Sequence, residues 1–530
     1  MNLHYQLVSL TALTTLLTLP SQMVLGIQTH SRDSSNKAEQ IVKPANADTT
    51  VYIESILRDW RLPGAAVAVV KNDTVLLNRG FGIRRVGSHA PVDEKTMFAI
   101  GSCTKAFTST AIGMLSDEHK LCLDDRVIKY LPSFELQDPY TTRDMRIRDL
   151  LAMRSGLEYG DAMWILAGFN SDQIFSRLKF LKSVVGFRAG FTYVNAMYLV
   201  AGRVIDKAAQ MPWSKYLESR IFGPLNMLHT NTSTRTLRLI SNVASPHHED
   251  FLSKIPYPVP YASLDTLQAA GGINSCAADM VQWLRFQLND GEFEGKRLIS
   301  HEALEETQTS QTLYPLTANE LTKLPDADFK ERSYCMGWER VTYRGYDLVE
   351  HDGSIDGMRA TVTLVPEAHL GLVVLTNSDY GGGKPCKAIA MALLDRYLKL
   401  PFVDWSSKMR ELQDEAELKR HALEQEQWSG RTAGAKFSHP LRDYAGTYVN
   451  ELYGPLRVAL NGKRLSLSTD KEIARGEQWQ YDTIKLSFSN PEIEPMWGTF
   501  YQDDAGKITN LNIPSLGVFK RLKSDTTADK

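Results

Sequence analysis

Two regions far apart in the chain carry short, dense apolar runs. Gly64 to Val70 (GAAVAVV) and Thr74 to Leu77 (TVLL) flank the polar Lys71-Asn72-Asp73, a pattern that predicts a β-hairpin. Ala360 to Val365 (ATVTLV) and Leu370 to Leu375 (LGLVVL) predict a second strand pair joined by a short turn. Between them, apolar residues recur at helical spacing over Lys105–Ser116, Ile147–Arg154, Ala196–Ala209, Trp213–Arg220 and Ala277–Leu288. Strands supplied by both ends of a region around a helix-rich middle predict one sheet with a helical insertion packed beside it.

The texture changes after residue 400. Ser406 to Gln427 is highly charged, rich in helix formers and poor in large apolar residues, as expected of a solvated connecting helix. From Leu441 to Leu522 short alternating runs replace the helical spacing. Asn461-Gly462, between Leu456–Leu460 and Leu465–Leu467, signals a tight hairpin. At the other end, Leu7 to Pro20 is apolar but too short to span a bilayer, and small Gly26 follows it. This predicts a cleaved secretory signal and an exported, periplasmic or secreted protein. The expected organisation is therefore a signal peptide over 1–26, a flexible lead-in over 27–50 and a main domain over 51–400. A helical connector over 401–435 and a small β domain over 436–524 complete it.

Composition narrows the function. With 60 basic and 62 acidic residues among 530, the chain has no cationic excess for nucleic acid. Five cysteines are too few for a disulfide scaffold, and their odd number leaves at least one thiol without an intramolecular partner. No later stretch is long and apolar enough to cross a membrane. The partner expected is a small molecule or peptide substrate, with no cofactor. No metal is expected either: H-E-x-x-H is absent, and His247-His248-Glu249-Asp250, beside Pro246, reads as a solvated turn.

G-x-S-x-G is also absent, so the nucleophile elbow of α/β hydrolases is unsupported. Ser-x-x-Lys occurs at Ser34/Lys37, Ser102/Lys105, Ser176/Lys179 and Ser468/Lys471. Ser102 alone follows a short apolar run and a glycine (Met97 to Gly101) and opens an amphipathic helix. In a first helical turn its Oγ lies near free backbone N–H groups and the positive end of the helix dipole. Lys105, one turn on, shares that face, where burial lowers an amine's pKa and fits it to act as base. Alone, the tetrapeptide describes an N-cap serine and a surface lysine equally well. Two further clusters add weight. Thr192-Tyr193-Val194-Asn195 precedes a helix and can present a phenol and an amide to a pocket; the same four residues recur at Thr447–Asn450 without that helical setting. His351-Asp352-Gly353-Ser354 precedes a strand, where Gly353 permits close approach of a substrate backbone. The N–H groups of Ser354 and Ser102 could then form an oxyanion hole. Cys103, beside the serine, reads as a small packing residue.

Ser102-x-x-Lys105, Tyr193-x-Asn195 and His351-x-Gly353, in that order, resemble the three motifs of the penicillin-recognising serine hydrolases. That superfamily comprises class C β-lactamases, D-Ala-D-Ala carboxypeptidases, D-aminopeptidases and related esterases. Phe98-Ala99-Ile100-Gly101, Ser155-Gly156-Leu157, Ile221-Phe222-Gly223-Pro224-Leu225 and Ala270-Gly271-Gly272 are similar to its flanking segments, so the resemblance covers roughly Val51 to Leu398. Tyr444 to Tyr448 and Trp479 to Asp482 resemble a lipocalin-like β domain.

The fold implied is α/β of the β-lactamase/transpeptidase type, an antiparallel sheet flanked by helices with a helical subdomain, followed by a small C-terminal β-barrel. The chemistry implied is an acyl-enzyme cycle: Ser102 attacks a carbonyl, Lys105 and Tyr193 move protons, and Asn195 and His351 hold substrate or the proton network. The substrates implied are peptides or amides, D-residue peptides included, or esters. Acyl transfer, carboxylesterase activity and non-catalytic ligand binding are the alternatives. His351 stands where many β-lactamases carry lysine, which weakens attraction for a substrate carboxylate. Asp352 replaces the usual threonine or serine, and would either repel anionic substrates or point away along the strand.

Overall fold

In a computed structural model, the structure describes residues 49–522 except 238, 250–252, 315, 317–323 and 491–492. The expected signal peptide lies outside the described residues, as does all of the expected lead-in but Thr49 and Thr50, which open helix α1 (Thr49–Asp59). Strands β1 (Gly64–Lys71) and β2 (Thr74–Gly82) form the first hairpin. Its two-residue turn, Asn72-Asp73, has φ of +49° and +62°, the left-handed pair that a twisted hairpin favours. Helices α2 (Thr104–Asp117), α3 (Asn195–Ala209) and α4 (Ala277–Leu288) belong to the middle of the chain.

Beyond them come β3 (Thr312–Leu313), β4 (Arg332–Tyr334), β5 (Glu339–Tyr343), β6 (Tyr346–Ile355), β7 (Met358–Val365) and β8 (Leu370–Thr376). These eight strands form one antiparallel sheet in the order β2-β1-β8-β7-β6-β5-β4-β3. The sheet closes between its early and late parts, β1 pairing β8 from Ala65–Thr376 to Lys71–Leu370.

Alternate residues of β1 serve two cores. Ala66, Ala68 and Val70 pack with the helical middle of the chain, including α2, α3 and α4. Ala65, Val67 and Val69 pack with α1, α5 (Lys384–Tyr397) and the start of α6 (Trp405–Ser429). With helices on both faces, the central strands are apolar throughout rather than alternating, as buried-sheet strands must be. This is the β-lactamase-type fold expected from the motifs.

The exposed remainder of α6 leads into a closed antiparallel barrel of eight strands. They are β9 (Gly446–Asn450), β10 (Gly454–Asn461), β11 (Arg464–Ser468), β12 (Ile473–Gln480), β13 (Thr483–Phe488), β14 (Met496–Gln502), β15 (Ile508–Ile513) and β16 (Gly517–Arg521). The β10–β11 hairpin turns at Gly462-Lys463, one residue later than the Asn-Gly pair suggests, because Asn461 still pairs with Arg464.

His247-His248-Glu249 is not a solvated turn. It forms a short strand with Pro256–Pro258, and both imidazoles are buried. His247 accepts from Val86 N through Nε2 and bonds the Asn377 carbonyl through Nδ1, while His248 pairs with Asp379 at 2.7 Å. Asp250 lies outside the described residues. No described helix is long and apolar enough to cross a membrane. All five cysteines are free, and Cys103 is buried with its thiol 3.2 Å from the His351 carbonyl.

Candidate active site

Gly101, at φ +51°, turns the chain into a single helical turn (Gly101–Cys103) that runs straight into α2. That turn packs against the end of β6: a Cβ on Gly101 would sit 2.8 Å from Ser354 N, and one on Gly353 only 1.9 Å from the Ile100 carbonyl oxygen. Glycine at 353 is thus required by the strand-to-helix turn that carries Ser102, in addition to any substrate. Gly353→Ala is expected to push β6 off that turn and lower turnover at least about 100-fold, measured with purified, folded protein.

Ser102 Oγ has two close partners. The Tyr193 hydroxyl donates to it at 2.8 Å, and Lys105 Nζ lies 3.0 Å away. Lys105 is fully buried and also reaches Asn195 Oδ1 and the Ala270 carbonyl, each at 2.8 Å. A neutral amine has two N–H bonds and one lone pair. The two carbonyl-type acceptors take both N–H groups, leaving the lone pair aimed at Ser102. Burial drives the Lys105 pKa from 10.5 down to about 7, against the opposing pull of the Asp161 carboxylate. Burial also raises the Tyr193 phenol well above its usual value, outweighing its bond to Ser102, so Tyr193 stays protonated.

Asn195, the first residue of α3, is held from behind. Its Nδ2 donates to Asp161 Oδ2 at 2.7 Å. Asp161 is buried, which raises its carboxyl to about 6 against the bond from Asn195.

His351 faces the same side of the sheet from β6 but does not bond Ser102. Its ring lies 6.4 Å from that of Tyr193. Nδ1–H donates to the Asp352 carbonyl at 2.7 Å and Nε2 accepts from the Tyr334 hydroxyl at 3.2 Å. Burial, reinforced by Lys105, lowers the imidazole to about 3, so it is neutral. Asp352 takes the second of the two orientations open to it. It turns to the opposite face of the sheet, bonding Thr361 and lying 3.9 Å from Lys387 of α5.

Ser354 forms a non-hydrogen-bonded pair with Arg359, because the two-residue hairpin pairs Ile355 with Met358 and the pattern alternates from there. Its N–H therefore points away from β7. On that side β5 begins at Glu339, opposite Glu350, and leaves residues 351–355 of β6 uncovered. The Ser102 N–H lies in a first helical turn with no intrahelical acceptor.

The structure thus brings Ser102, Lys105, Tyr193 and Asn195 into one hydrogen-bonded cluster, with Gly353 and Ser354 against it and His351 one ring further out. Sequence reasoning missed Asp161, Tyr334 and the Ala270 carbonyl. Asp161 trails the family-like Ser155-Gly156-Leu157 by four residues, a weak signal, and Tyr334 stands in a strand the pattern did not reveal. Among the described residues, His229, Cys276 and Asp279 come closest to a metal-binding group, within 4.8 Å of one another. The Asp279 carboxylate is already taken by His229 N, Thr230 N and Thr230 Oγ1, each at 2.8 Å, and burial raises the Cys276 thiol. This group ties a loop to α4.

A two-core antiparallel sheet carrying a serine and a buried lysine on one helix defines a scaffold of the penicillin-binding-protein type. The chain belongs to the Beta-lactamase family, whose model matches residues 40–395; a domain of unknown function, DUF3471, matches residues 430–526. It is similar to the unguisins hydrolase ungD of Aspergillus violaceofuscus, 27% identical over 79% of this chain and 77% of that protein. Protein flp of Staphylococcus aureus is 27% identical over 62% of each chain. Among solved structures, the octameric penicillin-binding protein homologue from Pyrococcus abyssi superposes with a TM-score of 0.59 at 23% identity, over 89% of this chain and 99% of that one. SurE superposes at 0.53 and 20% identity, over 89% and 98%.

Proposed function

We propose that the protein is a serine hydrolase that forms an acyl-enzyme at Ser102 and cleaves peptide or amide bonds, D-residue peptides among them, with esters as further substrates. The observation that carries this is the hydrogen-bond inventory of Lys105: a buried amine with a lowered pKa whose lone pair has Ser102 as its remaining partner. Lys105 Nζ takes the Ser102 proton as Oγ bonds to the substrate carbonyl carbon. The negative oxygen that forms lies before the N–H groups of Ser102 and Ser354. Tyr193, kept a phenol by burial, donates its proton to the departing amine or alcohol and is reprotonated by the Lys105 ammonium, which returns to the neutral amine. Water then adds to the ester carbonyl as the neutral Lys105 amine takes its proton, and that proton returns to Ser102 Oγ as the ester C–O bond breaks and the acid leaves.

The kinship to a protein named as a hydrolase supports water as the acceptor. A neutral His351 supplies no cation for a substrate carboxylate, which favours peptides and esters over β-lactams.

A panel of L- and D-residue peptide amides, p-nitrophenyl esters and a chromogenic cephalosporin tests this reading. Amide or ester turnover with slow cephalosporin cleavage is expected. Since the amine acts only when neutral, kcat/KM should rise with pH through about 7 and hold above it, because the phenol titrates far higher. Rapid cephalosporin turnover, or a rate that falls across this interval, would overturn the proposal.

A further inference from the structure

The C-terminal barrel grips a segment of the hydrolase domain that leads directly to the site. Residues Ala162–Ile165 form one helical turn begun by Asp161, whose carbonyl accepts from Trp164 N and Ile165 N. The turn continues in backbone bonds from Leu166 and Ala167 to Ala162 and from Phe169 to Met163, so 161–169 is one stiff unit. The barrel holds its far end. In the β11–β12 turn, Thr469 Oγ1 donates to the Leu166 carbonyl at 2.5 Å and Lys471 Nζ to the Trp164 carbonyl at 3.0 Å. Leu166 and Ala167, both buried, sit in the apolar mouth of the barrel against Leu456, Leu467 and Phe519, lining a cavity of about 30 Å³. Phe169 packs on Gly454, where a Cβ would come within 2.9 Å of its ring.

The near end of the unit is Asp161, and Asp161 decides which way the Asn195 amide faces. An amide turned by half a rotation would offer Lys105 an N–H in place of Oδ1 and claim the lone pair meant for Ser102. A carboxylate, which only accepts, forbids that rotation by bonding Nδ2.

We propose that the barrel is a positioning clamp: by seating residues 164–169 in its mouth it holds Asp161 against Asn195, and so fixes the Asn195–Lys105–Ser102 line. Asp161 is a positioning residue, acting through Asn195. The clamp rests on the acyl-enzyme reading for its catalytic meaning, but its mechanical part can be measured without any reaction.

The test uses the full chain and its Asp161→Asn, Thr469→Val/Lys471→Met and combined variants. Amide hydrogen exchange read by mass spectrometry should show lost protection over 158–169 and 193–199 in the barrel variant, although the substitutions lie in neither segment. Loss confined to the barrel would overturn the clamp, whether or not Ser102 reacts. Fluorophosphonate labelling of Ser102 then supplies the catalytic arm. Asp161→Asn should slow it about 100-fold, and the barrel variant about tenfold. In both, the limb near pH 7 should move to lower pH, because the Asp161 charge that raises the Lys105 pKa is removed or displaced; a merely structural defect would not move it. The combined variant should label no more slowly than Asp161→Asn alone, and additive losses would also overturn the clamp. If the double substitution fails to fold, Lys471→Met alone carries the same expectations at smaller amplitude. A wild-type protein that does not label at Ser102 would refute the acyl-enzyme reading and leave the exchange result to decide the clamp.

Discussion

Ser102→Ala is expected to abolish turnover of every accepted substrate, by about 10⁴-fold or more, while leaving the fold intact. Oγ makes two polar contacts in the site, to Tyr193 and Lys105, and both of those groups keep their packing when it is lost. The checking measurement is an intact mass after exposure to a fluorophosphonate. One adduct is expected on the wild-type protein and none on the variant. An adduct persisting on Ser102→Ala would place the nucleophile elsewhere, and the buried Cys103, whose thiol pKa is raised by its surroundings, is a poor substitute.

The second large effect concerns Lys105 and runs in opposite directions for activity and stability. A fully buried amine whose pKa drops from 10.5 to about 7 costs folding roughly 5 kcal/mol below pH 7, and less as pH rises toward 10.5. The pH window follows from the two values. Below 7 the folded and unfolded chains are both protonated at this position and the cost is constant. Between 7 and 10.5 the unfolded chain binds a proton that the folded chain lacks, so stability rises with pH across that interval. Lys105→Met removes the amine proposed as the base, so activity should fall about 10³-fold or more. Relative to wild type, the same variant should be at its most stable at pH 6.5 and below, where about 5 kcal/mol is recovered, while the Asn195 and Ala270 oxygens lose a donor and take back about 1–3 kcal/mol each. Its advantage should shrink as pH is raised from 7 toward 10. A stability difference between variant and wild type that stays level or moves the other way between pH 7 and 10 would mean that burial does not lower the Lys105 pKa.

The sheet's centre was legible because its strands are short and uniformly apolar: GAAVAVV and LGLVVL announce themselves, and β1 and β8 pair as the arrangement of runs required. Its far edge was not. β3, β4 and β5 are two to five residues long, and in β5 (ERVTY) charged and apolar residues mix because the strand lies near the rim. Tyr334 was hidden with them. Ser102 and Lys105 were readable because three residues on a helix fix a shared face, and Tyr193 and Asn195 because a loop before a helix fixes two neighbours. Asp161 meets Asn195 across a separation of 34 positions in the chain, and nothing local to a lone aspartate encodes that meeting. His247 and His248 misled for the opposite reason. Polar composition suggests exposure, yet their ring nitrogens find a backbone N–H, a backbone carbonyl and a carboxylate inside the protein.

The pairing of Ala65 with Thr376 has a bearing on how the protein is made. The β1–β2 hairpin leaves the ribosome with the apolar seam of β1 uncovered, and the strand that seals it is synthesised some 300 residues later, roughly 15–60 s at ordinary elongation rates. Throughout that interval a sticky edge is on offer to other nascent chains, whereas the barrel, built from successive hairpins and closed by the pairing of β9 with β16, spans under 80 residues and can close as soon as its last strand is out.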